Sequence, residues 1–330
     1  MAGLTQPVTI AGGGLAGLSL GIALLRRGVE VTLHEAGSYP RHRVCGEFIS
    51  GVTPATLAHL GIPDCLAGAT AITRSRWFDA SGEILRVPVS GSGLSRWTLD
   101  QRLQDEFSKS GGTLVVRSRI ASGPGIVWAG GRVRTGGKWI GLKCHVRDLA
   151  LADGLEMHIG SNGYVGLARV EDGVVNVCGL FRAESGIGGR DALFQCLNRG
   201  GLSGLAERIS RADPDSFCAV AGFRTGRQSG PPGAIGDAAF MIPPFTGNGM
   251  SMAIESAECA LDPLLEFAAG TATWDQASSQ IARRQNERFS RRMRVAGTVH
   301  AFLTARPALV AAVARRRLLP VTWMLRLLRV

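Results

Sequence analysis

Residues 8–35 contain the pattern that most narrows the choice of fold. Val8 to Ile10 are apolar and β-branched without polar alternation, which predicts a short buried strand. Gly12-Gly13-Gly14-Leu15-Ala16-Gly17 follows, a G-x-G-x-x-G sequence. Leu18 to Arg27 then shows helical apolar spacing and stops at Gly28, and Val29 to His34 reads as a second strand closing on Glu35. In dinucleotide binding Gly12 permits the tight turn, Gly14 lets the backbone approach a pyrophosphate, and Gly17 lets helix and strand pack closely. The helix start, at Leu15 and Ala16, offers free N–H groups and a positive dipole end to the phosphates. Glu35 stands where a carboxylate can bind ribose hydroxyls, and would repel a 2′-phosphate. This order of parts predicts a dinucleotide cradle without distinguishing FAD from NAD.

Composition removes several other classes. Glycine supplies 45 of 330 residues without a G-X-Y period, so the excess serves turns and close backbone approaches. The formal charge of +11 suggests a nucleic-acid protein, but no acidic residue follows Glu287, and nine arginines lie beyond residue 290. The chain before them is nearly neutral, and no aromatic–basic interleaving accompanies the charge, so no nucleic-acid partner is expected. The 7 cysteines are dispersed with no C-x-x-C pair, which reads as reduced thiols and predicts a cytoplasmic protein. No Cys/His spacing suits a metal, so none is expected. The uncharged stretch 8–25 is read as strand, turn and helix rather than as a leader or a span, because a span would have to absorb its glycines at about 1 kcal/mol each.

A second glycine loop lies far downstream. Gly233-Ala-Ile-Gly236-Asp237-Ala-Ala precedes Pro243-Pro244-Phe245-Thr246-Gly247-Asn248-Gly249-Met250, and residues 250–267 have helical apolar spacing. This reads as strand, loop and helix start around an aspartate in a buried strand. Taken with the first cradle, the pair resembles the FAD-dependent oxidoreductase superfamily of para-hydroxybenzoate-hydroxylase-type monooxygenases, geranylgeranyl reductases and flavin halogenases. The resemblance implies FAD as cofactor, with Asp237 on its ribityl chain. It sets Pro244, Gly247, Asn248, Gly249 and Met250 beside the flavin ring, where a helix N-terminus stabilises developing negative charge. Arg96-Trp97-Thr98-Leu99-Asp100-Gln101-Arg102-Leu103 is similar to the family's R-x-x-L-D-x-x-L helix start, which implies that Arg96 reaches the cofactor.

Arg43-Val44-Cys45-Gly46-Glu47 resembles the [RK]-x-C-G-E stretch of the geranylgeranyl-reductase-like and polyketide-hydroxylase branch. That likeness implies Arg43 toward the pyrophosphate or ribose, with Cys45 and Glu47 approaching the flavin and substrate as candidate catalytic residues. The alternatives are Cys45 as a small core filler and Glu47 paired with an arginine of its own loop. Short strands at 138–146, 156–160, 164–168 and 174–181, separated by Gly and Asp turns, predict an antiparallel sheet. The family implies that such a sheet floors the substrate pocket, with His145 and Tyr164 as candidate lining residues. Two departures stand out: the family's D-G motif is present only as Trp128-Ala-Gly130-Gly131-Arg132, and a W-x-W-x-I-P halogenase signature is absent. With no second complete glycine fingerprint, NADH or NADPH is expected to dock transiently.

The expected fold is therefore α/β. Residues 1–60, 90–130 and 216–290 form a discontinuous Rossmann-like FAD-binding domain, a parallel sheet with helices. Residues 61–89 and 131–215 form an inserted antiparallel-sheet substrate domain, and 291–330 a basic helical tail broken by Pro307 and Pro320. The tail has two readings: amphipathic helices packed across the substrate domain, or an interfacial membrane contact through arginines, Trp323 and Met324. The implied function is NAD(P)H-driven hydroxylation of an aromatic, phenolic-lipid or polyketide substrate. The alternatives are reduction of carbon–carbon double bonds in a hydrophobic chain and a non-catalytic flavin-binding protein.

Overall fold

The computed structural model describes residues 6–132, 136–189, 191–222 and 224–316. Arg317, Pro320, Trp323, Met324, Arg326 and Arg329 of the expected tail lie outside them. The chain opens with strand β1 (Val8–Ala11), helix α1 (Leu15–Leu25) and β2 (Val31–Glu35), then β3 (Phe48–Ile49) and α2 (Pro54–His59). A long pair of strands, β4 (Thr70–Asp79) and β5 (Gly82–Gly93), leads to α3 (Arg96–Lys109), β6 (Thr113–Val116) and β7 (Ile126–Trp128). Four strands follow: β8 (Trp139–Val146), β9 (Leu155–Gly160), β10 (Gly163–Arg169) and β11 (Val175–Arg182). Then come α4 (Ala192–Arg199), α5 (Ser203–Ser210), β12 (Pro214–Ala221), β13 (Gly226–Arg227) and β14 (Phe240–Met241). Helices α6 (Gly249–Ala268), α7 (Trp274–Ala305) and α8 (Pro307–Arg315) end the described chain.

A parallel sheet in the order β6-β2-β1-β7 is extended by a single parallel bridge from Trp128 to Ala234. Its inner strand β1 reads as an apolar run because both faces are covered, whereas the edge strand β6 stays partly exposed. Helix α1 is buried along nearly its whole length, and α3 and α6 pack against it. Gly28, at φ 81°, ends the first helix as expected. The expected aspartate strand is corrected: only Ala234 bridges, and Gly236–Ala238 is one 3₁₀ turn, because Gly236 at φ 62° turns the chain.

The larger sheet runs β12-β8-β11-β10-β9-β4-β5-β3 among the described residues. It is antiparallel except where β4 lies parallel to β9, so it is mixed rather than purely antiparallel. It takes in Gly82–Gly93 and Pro214–Ala221, across the expected boundaries at 89/90 and 215/216. Side-chain alternation sorts its two faces. Leu142, Cys144, Val165, Leu167, Val175 and Val177 join a core with α4 and α5. Their neighbours Lys143, His145, Tyr164, Asn176, Cys178 and Leu180 belong to the other face, toward the 41–48 loop and a large cavity.

The tail differs from expectation. The boundary at 290/291 falls inside α7, a 32-residue helix started by a Thr273/Gln276 capping box. Arg292, 1 % exposed at its side chain, makes a 2.7 Å ion pair with Glu255 of α6. Pro307 does break the helix, since α8 leaves at 104°. No single described helix is long and apolar enough to cross a membrane.

Candidate functional site

A cavity of about 730 Å³ runs from the first glycine loop to the floor of the large sheet. At the loop, Gly12 has φ 114°, and a Cβ there would stand 2.2 Å from the Ala129 carbonyl oxygen. A Cβ on Gly17 would meet the Gly12 carbonyl at 2.0 Å, so only glycine lets α1 seat on its strand. A Cβ on Gly14 would meet nothing within 4 Å, because Gly14, with Gly12, Leu15 and Ala16, faces the cavity. The fold thus places Gly12 at a tight turn, Gly17 at the close helix–strand contact and Gly14 open to the cavity.

Glu35 reaches the cavity wall with its carboxylate already engaged. Gly13 N–H donates to Oε2 at 2.8 Å, and Gly37 N–H and Arg41 Nη2 donate to Oε1 at 2.8 and 2.7 Å. It therefore fixes the glycine loop while standing on the cavity wall. Arg43 and Arg96 also line the cavity, and both are held by Asp100: Arg43 Nε at 2.7 Å, Arg96 Nε and Nη2 at 2.7 and 2.9 Å. Arg43 Nη2 is buried without a hydrogen-bond partner and lies 3.8 Å from Glu35 Oε2.

The downstream loop meets the same cavity with Asp237, Pro244, Gly247, Gly249 and Met250. Burial pushes the Asp237 carboxyl above its usual range, with Arg132 and Arg96 opposing. Asn248 is not on the wall. It is fully buried and donates to Ser50 O at 3.0 Å, tying the loop to the segment after β3. The residues present fit a dinucleotide: a glycine cradle open on its ligand side, a buried guanidinium nitrogen lacking an acceptor, and a desolvated carboxylate placed between cradle and helix.

Residues 41–48 form a wall. Arg41, Arg43, Val44, Cys45, Gly46 and Phe48 line the large cavity, whereas His42 and His145 line a second cavity of about 310 Å³. Glu47 faces neither. It is fully buried at φ 51°, accepting from Lys143 Nζ at 2.5 Å, Arg96 N–H at 2.9 Å and lying 2.6 Å from His145 Nε2. Burial raises its pKa, but His145 and Lys143 outweigh that and hold the carboxyl below its usual range. Glu47 is thus an anchor rather than a group at the reacting atoms, paired across to β8 and not with an arginine side chain of its own loop. Cys45 does line the cavity, but burial pushes its thiol up against the pull of Arg96, so it is no ready thiolate.

Of the two pocket candidates, Tyr164 lines the large cavity and His145 does not. At the Tyr164 end the wall is apolar, with Leu155, Met157, Leu180, Val220, Met241 and Phe245. Burial raises the Tyr164 hydroxyl well above its ordinary pKa, so it stays protonated. Sequence reasoning missed three contributors. Asp100 sits in the quoted R-x-x-L-D pattern, four residues after Arg96 and so on one helix face with it. Lys143 is the lone cation of an apolar strand, two residues from His145 and on the same face. Cys178, registered with Lys143 on the next strand, carried no local signal.

No protein-family model matches the sequence, and no curated protein matches it. Solved structures do resemble the fold. One is p-nitrophenol 4-monooxygenase from Pseudomonas putida, with 15 % identity, TM-score 0.77, and 98 % of this chain and 96 % of that chain covered. Another is a geranylgeranyl bacteriochlorophyll reductase-like protein from Thermoplasma acidophilum, with 18 % identity, TM-score 0.72, and 91 % and 88 % covered. A flavin-dependent brominase aligns with 17 % identity and TM-score 0.71 over 98 % and 92 %. The chain has the α/β fold of these monooxygenase, reductase-like and flavin-dependent halogenating proteins.

Proposed function

We propose that this protein is an FAD-dependent monooxygenase acting on an apolar aromatic or phenolic substrate, with NADH or NADPH docking transiently as reductant. One observation carries the reading: a single cavity joins the first glycine loop, Asp237 and the start of α6 to an apolar chamber on the sheet. Leu15 and Ala16 N–H groups at the start of α1, with Arg43, would hold the pyrophosphate. Glu35 would take ribose hydroxyls and Asp237 the ribityl chain. Gly249 and Met250, at the start of α6, would meet the pyrimidine edge of the flavin. FAD, when bound, supplies two-electron redox chemistry. In the net reaction one atom of O2 enters a substrate C–H bond and the other leaves as water, with two electrons from the nicotinamide and a proton from solvent. The apolar wall excludes water and orients the ring, and Glu47, by fixing Arg96 and the 41–48 wall, keeps the two ends of the cavity in register.

The test is anaerobic reduction of the flavin-loaded protein, followed by labelled O2 with a panel of alkylphenols. Label in the product supports the reading. Peroxide release with every phenol, together with saturation of a prenyl double bond, replaces it with double-bond reduction. Asp237→Ala is expected to weaken FAD binding at least tenfold, read from retained flavin absorbance.

A further inference from the structure

Helix α7 brings one polar side chain to the apolar end of the cavity. His300 is 7 % exposed, and its ring centroid lies 5.4 Å from Trp139, 6.0 Å from Tyr164 and 6.3 Å from Phe245. Tyr164 and Phe245 are cavity wall, so His300 stands directly behind that wall. Neither of its ring nitrogens has a hydrogen-bond partner among the described residues. The Tyr164 hydroxyl has none of good geometry either, although the Phe245 backbone lies beside it. Each buried polar group left unmade costs about 1–3 kcal/mol, so two neighbouring orphans beside a cavity are a defect for the fold alone. A ligand that brings a hydrogen-bonding group to the Tyr164 hydroxyl repairs it.

Charge narrows the ligand. Burial pulls the His300 pKa down to about 4 and raises that of Tyr164, so both groups are neutral near pH 7. The charged residues of the cavity, among them Glu35, Arg41, Arg43 and Asp237, belong to the nucleotide end. Toward the floor, Lys143 (paired to Glu47 behind the wall) and Arg132 on the cavity wall both act on Cys178, and among the described residues no carboxylate or cation stands with the apolar side chains around Tyr164. A carboxylate at the Tyr164 end would be desolvated against two neutral groups.

We propose that Tyr164 on the wall and His300 behind it form one polar pole, which selects an apolar substrate bearing a single uncharged hydrogen-bonding group, such as a phenol. His300 is a positioning residue: it hydrogen-bonds the Tyr164 hydroxyl when the ligand takes that hydroxyl's other side. This rests on the reading of the cavity as a flavin and substrate site.

The experiment is calorimetric titration of the flavin-loaded protein with 4-butylphenol, butylbenzene and 4-butylbenzoate. The native chain should bind butylphenol at least tenfold tighter than the other two. Tyr164→Phe and His300→Leu should each reduce that preference at least fivefold, and the double variant should lose no more than the larger single loss. His300→Gln, which keeps a donor and an acceptor, should restore part of it. His300→Leu should also raise the melting temperature, whereas a merely structural histidine would lower it. Equal weakening of all three probes by His300→Leu, or an unchanged preference, overturns the proposal. Absence of flavin absorbance before any probe is added overturns the functional reading instead, and the same titrations still report on the pole.

Discussion

Two buried residues show what one position can decide. Glu47 occupies a left-handed backbone conformation that a side chain adopts at a cost of about 1–3 kcal/mol, and its three partners offset it. Glu47→Ala leaves the Lys143 ammonium buried and uncompensated, so urea unfolding should show a loss of about 3–5 kcal/mol. The Glu47 carboxyl is held low in the fold, so its contribution is present above the unfolded value of 4.5 and disappears as pH falls through the folded one. His300 has the opposite charge logic. The folded protein resists a proton that the unfolded chain accepts below pH 6.5, so stability is lost as pH drops toward 4, by about 2 kcal/mol at pH 5. Melting curves of His300→Leu should lack that part of the slope between pH 7 and 5. Neither role was legible beforehand. The C-G-E likeness drew Glu47 toward the chemistry, because nothing in its neighbours reveals a lysine 96 residues away. His300 sat unremarked in a segment read for its arginines, its amphipathic spacing and its prolines.

At the level of elements, legibility followed locality. The β1–α1–β2 unit was readable almost residue by residue, since turn glycines, helix period and apolar strands are properties of adjacent positions. Gly17→Ala tests it: a Cβ 2.0 Å from the Gly12 carbonyl must push α1 off its strand, and retained FAD should fall to background while α-helix content changes little. The strands 138–181 were placed within a residue or two, yet the parallel contact of β4 with β9 was invisible, because pairing across 80 residues leaves no short-range trace. The long α7 was cut at 290/291, because the onset of the arginine-rich stretch was taken as a boundary, although its end before Pro307 was read. Its Arg292 faces Glu255, so Arg292→Ala should cost about 3–5 kcal/mol in urea, with Arg288 left to cover Glu255 alone at 3.4 Å.

For the whole molecule, the parallel sheet supplies the cradle, the mixed sheet supplies the floor, and the cavity exists only where they meet. Ligand binding should therefore couple to global unfolding: FAD at a hundred times its dissociation constant is expected to add about 2.7 kcal/mol, measured as a shift of the urea midpoint. Gly17→Ala and Asp237→Ala should flatten that response. A sequence can announce a cradle through spacing, but the floor comes from strands whose cavity-facing residues are set by distant register. That is why the first glycine loop was legible from adjacent residues, whereas on the floor Tyr164 was named but its neighbours Lys143 and Cys178 were not. The 41–48 segment carries one more implication. Arg41 and Arg43 line the large cavity while His42 between them lines the smaller room with His145, so this one segment borders both. A larger side chain at position 42 therefore presses on the backbone that carries Arg41 and Arg43, and a change made in the small room is felt in the large one.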